Sequence, residues 1–443
     1  MSLFSIKRLK QAATEFVGGG TEKLIVFDNQ PDWSQLPYEI LLHVFRYLSN
    51  SDKYHAALTC KSWLRPLSVP SVWETGDFIF ASESDEKAIM FVKMTGKTLR
   101  HMKVECRASG YHLSASRSRA SCTDKLYQFL ANLLNSRNHQ IWTFKLTNIC
   151  SLENDGIREK SRSFSELAQL LTKVLEDQQQ LRVLDLSNSQ KSVKHRGYAC
   201  FTVNEGMKLL NAASKNCANT LQKLAISRLV RLIDIYPNDL SFLPQFRSAI
   251  AGFSKLSDLD LSYGYLEDDL LLSLARTTTS LKVITVRVDR PPYFESSTTP
   301  TAWENLTAAC PELRVIFFIK PTTESYFQDT TLMLTPSMPL YQVKWKAGSV
   351  IAIENLEKFF QHVGQNFQET LHHLYLQTDV RLDMECIDAM FKSLQPCTNL
   401  DTLSLCLDCE MSDDEEMYTR VIKDVMKRCP VSCDVTLNGQ AVK

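Results

Sequence analysis

The chain reads as an α/β protein in two parts: a small all-helical module near the N-terminus, then a solenoid with parallel strands on one face and helices on the other. Three observations predict this. Between residues 33 and 80, large apolar residues recur at the spacing of short amphipathic helices, interrupted by prolines. From about residue 95 a single strand-like pattern returns ten times. The stretches between its copies carry helical periodicity instead.

The 443 residues are 44% hydrophobic, enough to bury a large core. Lys+Arg and Asp+Glu each number 50 and the pI is about 7.1, so the chain lacks the positive excess that phosphate-backbone binding leaves in a sequence. No nucleic-acid partner is expected. Thirteen cysteines are scattered without a disulfide framework, and no charged start followed by a long apolar stretch marks a secretory signal. Free thiols in the reducing cytosol or nucleus are the expectation. The longest apolar runs, such as Val315 to Ile319, are too short to cross a bilayer, so no membrane partner is expected either. Residues 1–32 read as a flexible extension. Lys7, Arg8 and Lys10 give it a basic amphipathic start, but Glu15 spoils the acid-poor pattern of a transit peptide, and Gly18-Gly19-Gly20 reads as a joint.

The first helix is predicted to begin at Leu36-Pro37, with the proline in the first turn, where no backbone N–H is needed. Ile40, Leu41, Val44, Phe45 and Leu48 then make one apolar face. Asp52 is read as the cap of a second helix carrying Ala56, Ala57, Cys60, Trp63 and Leu64, ended by Pro66; Pro70 precedes Trp73. A set of helices this short cannot hide so many apolar groups in itself and needs a partner surface.

The run Leu36-Pro37-Tyr38-Glu39-Ile40-Leu41-Leu42-His43-Val44-Phe45-Arg46-Tyr47-Leu48, then Ala56-Ala57-Leu58-Thr59-Cys60-Lys61-Ser62-Trp63, then Trp73, resembles an F-box over residues 33–80. It departs from the family's pattern at Lys53-Tyr54-His55, where many members carry an aliphatic pair. In that family the motif binds the Skp adaptor of a cullin-RING ubiquitin ligase. The resemblance implies that Leu36, Pro37, Ile40, Leu41, Val44, Phe45 and Leu48 face the adaptor or support that face, and that Cys60 and Trp63 are supporting core positions. A first hairpin of an ordinary core explains any one of these leucines, but not the whole ordered set.

The repeated pattern is an apolar residue, two variable positions, an apolar residue, one variable position and another apolar residue. It runs through Leu99-Met102-Val104, Ile141-Phe144-Leu146, Leu181-Leu184-Leu186, Leu221-Leu224-Ile226, Leu256-Leu259-Leu261, Leu281-Ile284-Val286, Leu313-Ile316-Phe318, Leu340-Val343-Trp345, Leu371-Leu374-Leu376 and Leu400-Leu403-Leu405. Val435 and Leu437 read as an incomplete last copy that caps the end. Helices are predicted between copies, among them Phe164 to Leu175 and Leu356 to Val363. The alternation resembles a leucine-rich-repeat horseshoe over residues 81–443, with strands on the concave side and helices on the convex side. It departs from that family where the asparagine or cysteine expected three residues after the last apolar position is replaced by Ile149, Ser189, Leu229, Gly264 and Asp289. A doubly wound α/β sheet competes, but it does not require one strand pattern this many times. Polar insertions at Arg107 to Ser121, Ser187 to Arg196 and Asp289 to Thr301 read as surface loops. The short distance from Trp73 to Leu99 predicts a stiff connection between the two parts.

Residues flanking the last apolar position of each copy point away from the core, so the open face can be read directly. Its early strands offer Lys103, Lys145, Asp185, Ser187 and Asp260; its later strands offer Arg287, Phe317, Ile319, Lys344, Lys346, His373 and Tyr375. This second group combines aromatic surface with positive charge, a pattern that fits an acidic or phosphorylated protein segment. The acidic run Asp408 to Glu416 reads as a solvated helix start. No catalytic motif or phosphate loop is present, and no cofactor is expected. Cys406-x-x-Cys409 with Cys429 and Cys433 superficially resembles a four-cysteine zinc site, but a strand at Cys406 and a helix in the interval oppose convergence of the sulfurs, and no metal is expected. Asn305-Leu306-Thr307 fits a glycosylation sequon that an intracellular chain does not use. The resemblance implies a non-catalytic, substrate-recognition subunit of an SCF-type ligase, with the Skp adaptor and, through it, cullin and RING protein as partners, and an unidentified protein substrate. The rival is a scaffold that binds the adaptor without ubiquitylation.

Overall fold

The computed structural model describes residues 33–80, 85–107, 119–149, 164–187, 201–230, 242–288, 298–319, 330–347, 353–378, 384–407, 423, 432–437 and 440–441. The N-terminal extension, most of the three polar insertions and the acidic run Asp408 to Glu416 lie outside these residues.

Three helices come first: α1 (Tyr38–Tyr47), α2 (Asn50–Ala57) and α3 (Lys61–Leu64). Pro37 is the N-cap of α1, one step ahead of the expected first turn, and its carbonyl accepts the Leu41 N–H at 3.0 Å. Ser49, not Asp52, caps α2. Its extended backbone suits the cap position, its hydroxyl oxygen accepts the Asp52 N–H at 3.1 Å, and its hydroxyl donates to the Asp52 carboxylate at 2.8 Å. Asp52 thus falls inside the first turn, where a carboxylate faces the positive end of the helix dipole. The single second helix expected through Leu64 is split at Leu58 to Cys60, which turns Leu64 out to solvent. The helices and the turns after them close on Leu41, Phe45, Ala56, Trp63 and Val72, with the Phe45 and Trp63 rings edge to face at 6.1 Å.

Among the described residues, a sheet of 13 strands in sequence order follows. Its strands are β1 (Thr75–Phe80), β2 (His101–Cys106), β3 (Thr143–Thr147), β4 (Val183–Asp185), β5 (Lys223–Ala225), β6 (Asp258–Ser262), β7 (Val283–Val288), β8 (Arg314–Ile319), β9 (Leu340–Ala347), β10 (His373–Thr378), β11 (Thr402–Leu407), β12 (Ser432–Leu437) and β13 (Gln440–Ala441). From β1 to β12 every pairing is parallel; β13 folds back antiparallel on β12, at the place expected for the incomplete copy. The sheet is open, since β1 and β13 are its two ends. Strand β1 lies in the stretch read as wholly helical. It escapes the leucine pattern because its buried positions are Gly76, Phe78 and Phe80.

Helices alternate with the strands: α4 (Asp85–Thr95), α5 (Arg119–Asn135), α6 (Phe164–Glu176), α7 (Val203–Cys217), α8 (Leu243–Ala251), α9 (Asp268–Thr277), α10 (Pro300–Ala309), α11 (Ile353–Asn366) and α12 (Met384–Leu394). Between β8 and β9 the described connection is a 3-10 turn, Thr330–Met333. Strand and helix side chains share one continuous core from Phe78 to Leu405, which no single repeat could close alone. The two parts are joined directly. The Glu74 carbonyl accepts the N–H groups of Arg100 and His101, both at 2.8 Å, and the Trp73 ring meets Phe91 of α4 edge to face at 5.3 Å.

Nine of the ten predicted triplets are buried as expected; the exception is Leu313-Ile316-Phe318. Val315, Phe317 and Ile319 point into the core, while Ile316 and Phe318 face outward. Register with β7 fixes this, pairing Ile284 with Val315 and Val286 with Phe317, buried against buried. The copy is one residue short ahead of its strand, and an irregularity between Val315 and Ile316 restores the alignment with β9.

The turns that lead into the strands are tied to the preceding repeat by buried polar side chains. Asn138 donates to the carbonyls of Gly96 (2.7 Å) and Leu99 (2.6 Å). Gln178 donates to the Asn138 carbonyl at 2.7 Å, and Cys217 to the Gln178 carbonyl at 3.2 Å. Cys310 donates to the Thr278 carbonyl at 3.0 Å. Backbone carbonyls buried between repeats are satisfied in this way.

At Gly364 the backbones of α11 and α12 come close. A Cβ there overlaps the carbonyl oxygen of Ser393 on α12 and falls 2.7 Å from its carbonyl carbon. Helix propensity alone favours alanine by roughly 1 kcal/mol. We expect the clash to win, so that Gly364→Ala destabilises the protein by about 1–3 kcal/mol; urea denaturation measures it, and a gain in stability contradicts this packing.

Candidate functional site

Two surfaces stand out, one on the helical module and one on the open face of the sheet. On the module, Leu41, Val44, Phe45 and Trp63 are buried in its own core and can only support a binding face. Leu36, Ile40, Leu48 and Cys60 are half-buried and Pro37 is exposed. Large apolar groups that the sequence pattern did not single out as a surface stand in solvent: Tyr47 is 71% exposed, Leu58 68% and Tyr54 61%. Tyr47 and Tyr54 lie off the apolar helical stripe, and Leu58 belongs to the break after α2, so periodicity had no means of flagging them.

Lys53, in the polar stretch Lys53-Tyr54-His55, is only 2% exposed. Its ammonium lies 5.6 Å from the Trp73 ring and 3.4 Å from the Asn50 side-chain oxygen. Burial pulls its pKa below the ordinary lysine value. The thiol of Cys60, 3.0 Å from the Ser62 hydroxyl, is shifted down by that hydrogen bond.

On the sheet, register places Arg287, Phe318, Lys344 and Tyr375 side by side on four neighbouring strands. The Arg287 guanidinium lies 4.8 Å from the Phe318 ring centre, and Lys344 lies between rings, 5.5 Å from Phe318 and 4.8 Å from Tyr375. Arg287 is also held by Asp260 through a forked pair of hydrogen bonds, 2.9 Å from Nε and 2.6 Å from Nη2. Lys346 is exposed beyond Lys344 on the same strand. His373 is half-buried, with Nε2 at 3.1 Å from the Tyr341 hydroxyl. Of the predicted face, then, Arg287, Lys344, Lys346, His373 and Tyr375 are present together. Phe317 and Ile319 are core residues, and their places are taken by Ile316 and Phe318. Five consecutive apolar residues hid the alternation; only the register against β7 reveals it.

At the strand entrances a second set of stacked groups runs through Arg100, Trp142 and Arg182, with both guanidinium groups over the indole at 4.7 and 4.6 Å. Among the described residues no group of three or more His, Cys, Asp or Glu could hold a metal ion, and no helix is long and apolar enough to cross a membrane. Cys409 and Cys429 of the four-cysteine candidate lie outside the described residues. Cys60, Cys106, Cys217, Cys310, Cys386, Cys397 and Cys406 are in no disulfide.

Comparison with known proteins bears on the module. Residues 33–78 match the F-box-like family. Over 64 residues the chain is 30% identical to F-box/LRR-repeat protein 21 of Mus musculus, a match covering 14% of this chain and 14% of the mouse protein. Among solved structures, a chain from "Crystal structure of Rad7 and Elc1 complex in yeast" aligns over 98% of this chain and 95% of its own, at 13% identity and a TM-score of 0.39. F-box/LRR proteins are typically non-catalytic adaptor subunits, and the match to them fits a binding protein rather than an enzyme.

Two outcomes test these surfaces. Phe317→Ala should cost about 3–5 kcal/mol of stability as a full core truncation, whereas Phe318→Ala should cost less than about 1 kcal/mol; equal losses in denaturant titration contradict the register. For Lys53, the lowered pKa means the native state holds its proton less well than the unfolded chain, so the penalty is complete at neutral pH and fades as pH rises toward the unfolded value. Lys53→Met should therefore raise the melting temperature at pH 7 by a few degrees, with the advantage shrinking toward pH 10 in a calorimetric pH series.

Proposed function

We propose that the chain is the substrate-recognition subunit of an SCF (Skp-cullin-F-box) E3 ubiquitin-protein ligase. The observation that carries this reading is the F-box-like match over residues 33–78, which falls on a helical module that leaves Pro37, Tyr47, Tyr54 and Leu58 open to a partner. On this reading the module docks on the Skp adaptor, with Leu36, Ile40 and Leu48 at the contact and Leu41, Val44, Phe45, Cys60 and Trp63 holding its shape. The sheet, curved as in a leucine-rich-repeat horseshoe, presents its concave face to a protein substrate in the cytosol or nucleus. The chain contributes placement: it holds substrate lysines near a ubiquitin-charged conjugating enzyme that the cullin and RING protein bring.

Co-expression with the Skp adaptor and cullin tests it. Wild type should copurify with both. The variant Pro37→Ala, Ile40→Ala, Leu58→Asp should lose at least about tenfold of the adaptor, with its melting temperature unchanged because none of the three is a core residue. A wild type that captures no adaptor sinks the proposal. Adaptor binding with no module-dependent ubiquitylation of bound proteins favours the scaffold instead.

A further inference from the structure

Where β9 crosses the row Arg287, Phe318, Lys344 and Tyr375, the geometry points to a track along that strand, through Lys344 and Lys346, for one kind of occupant: an unphosphorylated, extended protein segment with carboxylates at alternate positions. This deepens, and rests on, the reading of the sheet's open face as the substrate-holding surface.

Charge complementarity selects the occupant. From β8 to β11 the outward side chains are Arg314, Ile316, Phe318, Gln342, Lys344, Lys346, His373, Tyr375, Gln377, Thr402, Ser404 and Cys406, without one acid among them. Lys344 and Lys346 pair with no carboxylate among the described residues, and the row's nearest acid, Asp260, is already bound to Arg287. Among the described residues, the patch therefore lacks the anions that would make it self-sufficient.

The forms of the cations narrow the choice further. Phosphate is best gripped by the planar fork of an arginine. Here the fork of Arg287 is closed by Asp260, and the exposed Arg314 lies four residues before Phe318 on β8, about 13 Å along the strand from the row. What remains open is two lysine point charges. Lys344 is steadied between two rings, so less side-chain freedom is lost when it binds. Two residues apart on β9, the lysines rise about 7 Å along the strand, the same repeat that an extended peptide shows on one face. Carboxylates two residues apart match them, and the half-buried Ile316 and Phe318 give an apolar floor to the residues around those carboxylates.

Fluorescence anisotropy on the full-length chain tests the track with three labelled peptides: alternating Glu and Leu, the same with Gln for Glu, and the same with phosphoserine for Glu. The Glu peptide should bind at least about tenfold tighter than the Gln peptide and weaken as salt rises. Lys344→Glu with Lys346→Glu should remove at least about tenfold of that affinity, while the melting temperature and Skp-adaptor copurification stay at wild-type values. Absence of Glu-peptide binding, or binding untouched by the double variant, overturns the track. Tighter binding of the phosphoserine peptide overturns the choice of carboxylate. Because the peptide assay contains no adaptor, loss of adaptor capture with intact peptide binding rejects the ligase reading and leaves the track. The reverse result rejects the track alone.

Discussion

A repeat of this chain can bury its apolar side only against the next repeat, and most of the architecture follows from that dependence. A strand of three to eight residues with at most one helix behind it exposes nearly everything it has. Stacking in parallel register lets Leu184 sit between Phe144 and Leu224, and Leu374 between Val343 and Leu403, so each apolar residue is covered from both sides. The dependence is most acute at the ends, where a repeat has one neighbour. At the first end Trp73 of the helical module packs on Phe91, and at the last β13 turns back on β12.

The same stacking creates a polar problem. Turns pressed between repeats bury carbonyls that neither helix nor sheet can satisfy, and each such carbonyl left unpaired weakens the stack by the desolvation of a polar group. Asn138, Gln178, Cys217 and Cys310 answer it with unlike side chains that deliver one donor to the repeat before. An asparagine or cysteine three residues after the last apolar position was not the signal to seek. The right one was the polar or sulfur-bearing residue three positions ahead of Ile141, Leu181 and Leu313, visible in the sequence as Asn138, Gln178 and Cys310.

Legibility followed the strength of alternation. Where apolar and polar residues alternate cleanly, as in Leu371-Leu374-Leu376, burial was readable without coordinates. Where they do not, as in Val315 to Ile319, face assignment is degenerate by one residue, and only the neighbouring strand decides it. The cap of α2 failed for a related reason: Ser49 and Asp52 are both good caps, and their choice turns on backbone angles that composition does not encode. Motif order survived better than local geometry. The family match covers residues 33–78 of the stretch 33–80 that resembles an F-box, even though α2 and α3 divide where one helix was expected.

The two halves of the open face carry their charges in different company. Across the first strands acids stand among the bases: register sets Asp77 beside Lys103, Lys103 beside Lys145 and Lys145 beside Asp185, and Lys223 bonds Asp258 at 2.9 Å. Such exposed pairs add little stability, yet they leave little field for a charged partner to exploit. Arg287 is the boundary, turned toward Asp260 on one side and Phe318 on the other. Beyond it the partners of the cations are aromatic rings, which attract a positive charge without cancelling it. An ammonium held by a carboxylate is electrostatically finished, whereas one held between rings keeps its full charge in a fixed place. That difference in the second atom of each pair, and not the number of lysines, separates the two halves of the sheet.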